Sequence, residues 1–550
     1  MKKIKKFFNE ESKFNIKDLF VLSIIIIFYT ILSFINLGTN TSPQTFYDIN
    51  ALGIKITLDK QEFVNQIVFY SGENSGDYNF EISTDDKNYS NNIILNADGC
   101  FKWKKGNVSS YAKYIRLIPR DGNTLSLGEL SLYDNSGNKI PIKITSMGKE
   151  VYTLSDEASA YPKSISFKNS TYFDEVYFAR SAYDYNEGKK VYEWTHPPLG
   201  KLIQATPVLL TDNFSPFNYR IMGNIAGILM IIVMYLFGKA LFKKRKYATI
   251  AALLMTFDNF HFVQTRIGTV DSFLVLFILL SFYFMFLYIK KDGKLWHFIL
   301  SGIFIGCAIA TKWTALFGGI ALAIIYIIYK FKTKKKWIPF IWHGLAFFIL
   351  VPTLIYFGTY MIVPNMNGLE NNNIKSVVKM NKNMYEYHSN VKDDHLFSSK
   401  WYTWPVNYKP VWYYTKDVDS SHSQSIVAIG NIVIWWPAII AFFVLPYFIV
   451  KKKNMKSLFL LITILSLYLP FMFIDRVMFL YHYFIVLPFM MLALVNLLYQ
   501  LNKTSKRDYL ILLYMVLVVI CFIVYYPVSS GMTISNDYVE ATKLLKSWIY

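Results

Sequence analysis

Long apolar runs dominate the chain. Stretches suited to crossing a bilayer cover roughly residues 19 to 37, 218 to 241, 247 to 263, 269 to 289, 296 to 311, 314 to 330, 338 to 361, 426 to 450, 457 to 474, 478 to 499 and 508 to 527. The first run has no small-residue cleavage site and is too long for a signal peptide's apolar region, so it reads as a retained anchor. Residues 45 to 150 follow another rule. There GIKITL, QIVFY, YNFEIS, KYIRLI and LSLGELSLYD form short alternating runs separated by Gly, Asn and Asp turns, the pattern of a small β-sandwich. The expected fold class is an α-helical polytopic membrane protein of about eleven transmembrane helices with a small β-sandwich domain.

Charge sets the sides. The chain is 53% hydrophobic with a net charge of +20, but its basic residues cluster beside the apolar runs and form no basic domain, so nucleic acid is not the expected partner. With Lys2, Lys3, Lys5 and Lys6 placed in the cytoplasm, the basic runs at 243, 290, 330, 451 and 502 all fall inside. The N-terminus is then cytoplasmic, and the polar loops at 38 to 217 and 364 to 425 and the tail lie outside a cell membrane. The expected organisation is an N-terminus and first span (1–44), an extracytoplasmic sandwich (45–150), a polar first-loop segment (151–217), spans two to seven (218–363), an aromatic-rich outer loop (364–425), spans eight to eleven (426–527) and an outer tail (528–550).

The chemistry concentrates in residues 172 to 201, YFDEVYFARSAYDYNEGKKVYEWTHPPLGK. Adjacent carboxylates, Asp174 and Glu175, precede a stiff turn of His196, Pro197 and Pro198 that ends in Gly200 and Lys201. A metal on His196, Asp174 and Glu175 lacks any paired-histidine spacing, so no metal is expected. Cys100, Cys307 and Cys521 are far apart and indicate no disulfide framework or thiolate site. In the outer loop, WYTWPVNYKPVWYY offers Trp401, Trp404 and Tyr413 either to a membrane-interface belt or to a groove for a sugar or peptide.

Several strings carry a resemblance in order along the chain: FDEVYFAR at 173, HPPLGK at 196, NYR at 218, TRIGTVDSF at 265, ATKWTALF at 310, WYTWP at 401, AIGNIVIWW at 428 and RVMFLYHYFIVLPF at 476. Together they resemble the protein O-mannosyltransferase family, glycosyltransferase family 39. The resemblance implies a GT-C membrane fold, a polyprenyl-phosphate-mannose donor and a Ser or Thr acceptor in an exported protein, with no further cofactor required. It implies Asp174 as catalytic base and Glu175 paired with Arg220. A carboxylate within reach of a hydroxyl accepts its proton as the bond to C1 forms. The leaving lipid phosphate needs charge stabilisation more than protonation, so one base suffices and direct displacement inverts the anomeric carbon. Candidates around the donor phosphate and sugar are Lys201, Arg266, Asp271, Arg476 and His482, while His196, Pro197, Pro198 and Gly200 shape the loop.

The stretch from Ser83 to Asp86, Trp103, residues 113 to 117 and residues 127 to 133 resemble discoidin-like modules, which bind sugars or act as spacers. The early position of this module, and an outer loop too short for the β-trefoil of fungal and animal relatives, place the resemblance in the bacterial branch. Expected partners are the lipid-linked donor, an exported acceptor protein and the bilayer, with the secretion machinery or a second copy as further candidates. Two alternatives stand beside this reading. A GT-C transferase acting on a lipid or cell-wall polymer would share the fold. A polytopic transporter would need charges in its span centres, where Asp and Glu are nearly absent by the sequence.

Overall fold

The computed structural model describes residues 14–74, 76–290, 293–333, 336–391, 395–505 and 507–550. Lys2, Lys3, Lys5, Lys6, Lys291, Lys334, Lys335 and Lys506, which enter the charge argument, lie outside the described residues. The chain forms two compact units, one of Asn36–Glu187 with Ala205–Arg220, the other of the chain up to Ile35 with Gly188–Gln204 and Ile221–Tyr550.

The protein is a polytopic helical membrane protein. Among the described residues, eight helices are long and apolar enough to cross a membrane: Ile16–Phe34, Pro216–Phe242, Asp271–Lys290, Trp313–Thr333, Trp337–Ile362, Ile432–Lys452, Met455–Phe473 and Asp508–Ser530. Their outward side chains are apolar, with Ile338 72%, Leu354 62% and Leu512 68% exposed, a surface suited to lipid. The remaining three apolar runs fold as shorter or interrupted helices. Leu295–Ile309 has 15 residues. The run from 478 opens as a 3₁₀ turn, Leu480–Ile485, before the helix Leu487–Ser505.

The run from 247 breaks into Arg245–Thr256 and Asn259–Gln264. Asp258 makes the break. It caps the second piece and accepts hydrogen bonds from the His261 amide at 2.9 Å, the Asn431 amide at 3.2 Å and the Trp435 indole at 2.7 Å, with no exposed surface. A hydropathy window averages one carboxylate away, so the run still reads as apolar although Asp258 lies buried within it.

Polar contacts mark the two ends of the helical unit. At one end Asp18, fully buried in the first turn of Ile16–Phe34, accepts from Tyr235 at 2.9 Å, Lys239 at 2.8 Å and Arg245 at 3.2 Å. Asn15 and Asp18 also form a reciprocal capping box there. At the other end the strands Val411–Asp417 and His422–Ala428 form a hairpin, and Thr533–Ser535 of the tail adds a third strand, pairing His422 with Ser535. The Trp548 indole donates to the Asn407 carbonyl at 2.8 Å. Direct pairing joins the 364–425 loop to the tail.

The other unit is built on a nine-stranded antiparallel sheet of β1 (Tyr47–Ile49), β2 (Ile54–Ser71), β3 (Asp77–Ser83), β4 (Ser90–Asn96), β5 (Lys102–Pro119), β6 (Leu125–Tyr133), β7 (Lys139–Ile140), β8 (Ile142–Ser146) and β9 (Lys149–Glu150), in the order β1-β6-β2-β5-β3-β4 with β7, β8 and β9 off that path. Its long members are β2 (Ile54–Ser71) and β5 (Lys102–Pro119), each of 18 residues. Strand β2 pairs with β8 (Ile142–Ser146) over residues 55–58 and with β6 (Leu125–Tyr133) over residues 66–71, so one strand serves two neighbours along its length. Alternate residues such as Ile54, Ile56, Leu58, Ile115, Leu117, Leu130 and Leu132 fill a common apolar core. The start of β5 also grips the chain ahead of the acidic pair. The Thr171 amide donates to the Phe101 carbonyl at 3.1 Å, and the Trp103 amide donates to Ser170 Oγ at 3.1 Å.

Asp18→Ala strands the buried Lys239 without its carboxylate and should cost about 3 kcal/mol of stability. Lys246→Ala, which removes a pair with the 73% exposed side chain of Asp508, should leave stability unchanged. Thermal unfolding in detergent checks the ranking, and equal effects would show that burial does not govern the first pair.

Candidate functional site

The acidic pair sits where a left-handed residue turns the chain. Phe173 has φ +47°, a conformation rare for an aromatic residue, and the helix Glu175–Asn186 starts directly after it with Asp174 as N-cap. The two carboxylates part there. Glu175 has no exposed surface, and both its oxygens receive Arg220: Nε at 2.7 Å to Oε1 and Nη2 at 2.7 Å to Oε2. Arg220 also donates to the Leu37 carbonyl at 2.9 Å and the Ser170 carbonyl at 3.0 Å, between the rings of Tyr172 and Tyr219. The Tyr172 amide adds a hydrogen bond to Glu175 at 3.1 Å. Asp174 stays half-buried at the helix start and makes no side-chain capping bond.

The His-Pro-Pro segment is organised by a residue the sequence reading passed over. Glu193 is buried and accepts from the Thr195 amide at 3.0 Å, His196 Nδ1 at 2.9 Å and Lys201 Nζ at 2.9 Å. Burial alone would raise its pKa, but the charges of Lys201 and His196 hold it well below the usual carboxylate range. Lys201 donates also to the carbonyls of Glu193 and His196, so its three protons are engaged within the loop. Lys201, expected among the phosphate ligands, is thus seen to pin the loop. Gly200 has no room for a side chain, since a Cβ would lie 2.7 Å from Thr311 and 2.9 Å from Val270. Pro197 and Pro198 lead from this loop into the helix Leu199–Thr211.

A second cluster in the same unit gathers around Arg476. Its Nη1 donates to His388 Nδ1 at 2.5 Å, and His388 Nε2 donates to the Thr195 carbonyl at 2.7 Å. Burial first, then the neighbouring His196 and the cations Arg476 and Lys312, push His388 down to about 4, so at neutral pH it is uncharged and can accept from a guanidinium. Arg476 Nε is buried with no hydrogen-bond partner among the described residues. Lys312 pairs with Asp271 at 2.9 Å and lies 5.6 Å from the ring centre of Tyr481.

Other candidates are committed elsewhere. Arg266 donates to the carbonyls of Ser33 at 3.1 Å and Ile35 at 2.5 Å, closing the end of the first long helix. His482 is stacked on Tyr481 and Trp404, with ring centres 4.7 Å and 5.9 Å away. Trp404 is 1% exposed, and Tyr413 is buried with its hydroxyl on Gln264 at 2.5 Å, so neither lines a groove. The aromatic lining belongs instead to Trp401, Tyr402 and Tyr408. With Lys400, Lys409 and Arg476 they surround a cavity of about 750 Å³. Sequence reasoning missed Glu193, Lys312 and His388. Glu193 lies inside the quoted 172–201 stretch and Lys312 inside ATKWTALF, so both offered a signal, whereas His388 lies outside every quoted string.

Lys201→Met leaves Glu193 buried without its lysine and should lower stability by about 3 kcal/mol, read as a fall in the thermal midpoint in detergent. For His388, the ordinary imidazole protonates near pH 6.5 and the folded one near 4. Between those values the unfolded chain binds a proton that the folded chain refuses, so this residue's contribution is complete above pH 6.5 and declines as the pH falls towards 4. His388→Gln should flatten that part of a pH series of unfolding midpoints, and an unaltered series would contradict the neutral assignment.

The sequence matches a family model described as dolichyl-phosphate-mannose-protein mannosyltransferase over residues 195–356 and one described as the C-terminal four-transmembrane region of protein-O-mannosyltransferase over residues 373–548. These ranges include His196, Lys312, His388 and Arg476 but not Asp174 or Glu175. A polyprenol-phosphate-mannose–protein mannosyltransferase of Mycolicibacterium smegmatis is 24% identical over 459 residues, covering 68% of this chain and 87% of the relative. One of Mycobacterium tuberculosis is 23% identical over 458 residues, covering 68% and 86%. Among solved structures, a chain of the S. cerevisiae protein O-mannosyltransferase Pmt1-Pmt2 complex bound to the sugar donor superposes with a TM-score of 0.61 at 14% identity, covering 69% of this chain and 89% of that one. Two family models that together span more than half of the residues, full-length relatives and a shared fold agree, and the chain belongs to the protein O-mannosyltransferase family.

Proposed function

We propose that this protein transfers mannose from polyprenyl-phosphate-mannose to Ser or Thr hydroxyls of exported proteins, with inversion, on the extracytoplasmic face of a cell membrane that it crosses about eleven times. Asp174 is the general base. It receives the acceptor's proton as the hydroxyl oxygen attacks C1, and the C1–O bond to the lipid phosphate breaks. The observation that carries this assignment is the division of labour within the acidic pair: Arg220 holds both oxygens of Glu175, while Asp174 stands half-buried at a helix N-terminus.

The departing lipid phosphate carries negative charge through the transition state, and Arg476 and Lys312 are the cations assigned to it. Support comes from the unpartnered, buried Nε of Arg476 and from the neutral histidine that meets its other edge. Residues 45–150 act as a discoidin-like β-sandwich whose grip on Ser170 and Thr171 steadies the Asp174 turn. The acceptor and donor, as partners, are those named for the mycobacterial relatives.

Asp174→Asn removes the proton acceptor at constant size. Transfer of labelled mannose from polyprenyl-phosphate-mannose to a Ser/Thr-rich peptide should fall by roughly a thousandfold, with thermal stability and donor binding kept. Retained transfer would remove Asp174 from the base role, and label entering lipid or polymer in place of peptide would change the acceptor class.

A further inference from the structure

Arg476 lies on the wall of the 750 Å³ cavity, and one other side chain sets its direction. His388, in the last turn of the helix Ile374–Asn390, receives Arg476 Nη1 on its Nδ1 and places its own Nε2–H on the Thr195 carbonyl. An imidazole whose Nε2 donates has a lone pair on Nδ1 only when it is uncharged, so this geometry requires the neutral ring. Its surroundings fit that state. The titratable groups around it are His196, whose ring centre is 5.4 Å away and whose Nδ1 is held by Glu193, together with Arg476 and Lys312; the rings of Trp313 and Tyr387 pack nearby.

We infer that His388 is a positioning residue for the donor phosphate, holding the Arg476 guanidinium in register with the Thr195–His196 segment as a neutral acceptor. The inference rests on the reading that Arg476 receives that phosphate. A mannosyl phosphodiester carries one negative charge and no titrating proton near neutrality, so its binding depends on how well one planar cation is aimed. An aliphatic residue at 388 would leave the guanidinium charge intact but free to rotate, with a second N–H edge unsatisfied.

The test is a cycle of donor binding, titrating polyprenyl-phosphate-mannose into the full-length protein in detergent with Asp174→Asn present throughout to block turnover. His388→Leu should weaken binding about tenfold, and His388→Gln, which keeps an uncharged acceptor and donor, should stay within about threefold. Arg476→Gln should weaken binding at least as much as His388→Leu, and adding His388→Leu to it should cost nothing further. Should Leu at this position not fold, His388→Phe fills the ring's space and reads the same cycle. Losses that add in the double variant, or full affinity in the Leu or Phe variant, would overturn the role of His388 while leaving Arg476 in place. Unchanged binding in Arg476→Gln would overturn the phosphate reading and this inference with it.

Discussion

A single guanidinium with no exposed surface organises the ground on which the acidic pair stands. Arg220 binds both oxygens of Glu175, the Leu37 carbonyl and the Ser170 carbonyl, and so joins the exit from the first long helix, the segment before the acidic pair and the start of the next long helix. A bidentate pair specifies orientation as well as distance. Because it is dry, removing either partner would leave a buried charge without its bidentate partner. The neighbouring carboxylate is thereby set at a helix start by a framework whose own polar groups are satisfied.

The same economy runs through the helical unit. Asp18, Asp258, Lys201 and Arg266 all looked like isolated charges in or beside apolar sequence, and each closes a local set of hydrogen bonds. In an apolar surround an ionised group persists only where partners replace water, so most charges near the spans are structural. Arg476 differs. It has a buried N–H without a partner among the described residues and stands on the wall of a cavity lined by Trp401, Tyr402 and Lys400. That contrast, more than the presence of a cation, is what supports the proposed phosphate role of Arg476.

Transfer from a lipid phosphate asks little of the protein beyond a base, a cation and alignment. The leaving group is already a good one, so no second carboxylic acid is needed to protonate it. This agrees with a site in which one member of the acidic pair is wholly consumed by structure. It also agrees with a histidine kept neutral beside two cations, where it serves as a hydrogen-bond acceptor and adds no charge.

Hydropathy determined the membrane class, the alternating runs determined the strands of residues 54–146, and the ordered strings around Asp174, His196 and Arg476 pointed to the family. These features are local: a span, a strand or a motif is written in consecutive residues, and its physical cause acts within a turn or a pleat. What each charge does was decided only in three dimensions. Lys201 and Lys312 are both lysines beside apolar runs, yet one is spent on Glu193 and two carbonyls while the other faces Asp271 and Tyr481. Trp401 and Trp404 are three residues apart, yet one lines a cavity and the other is buried against His482. His388 meets Arg476 across 88 positions of chain. Partners so distant are chosen by packing, and a hydrogen bond's reach of about 3 Å leaves no trace in sequence spacing.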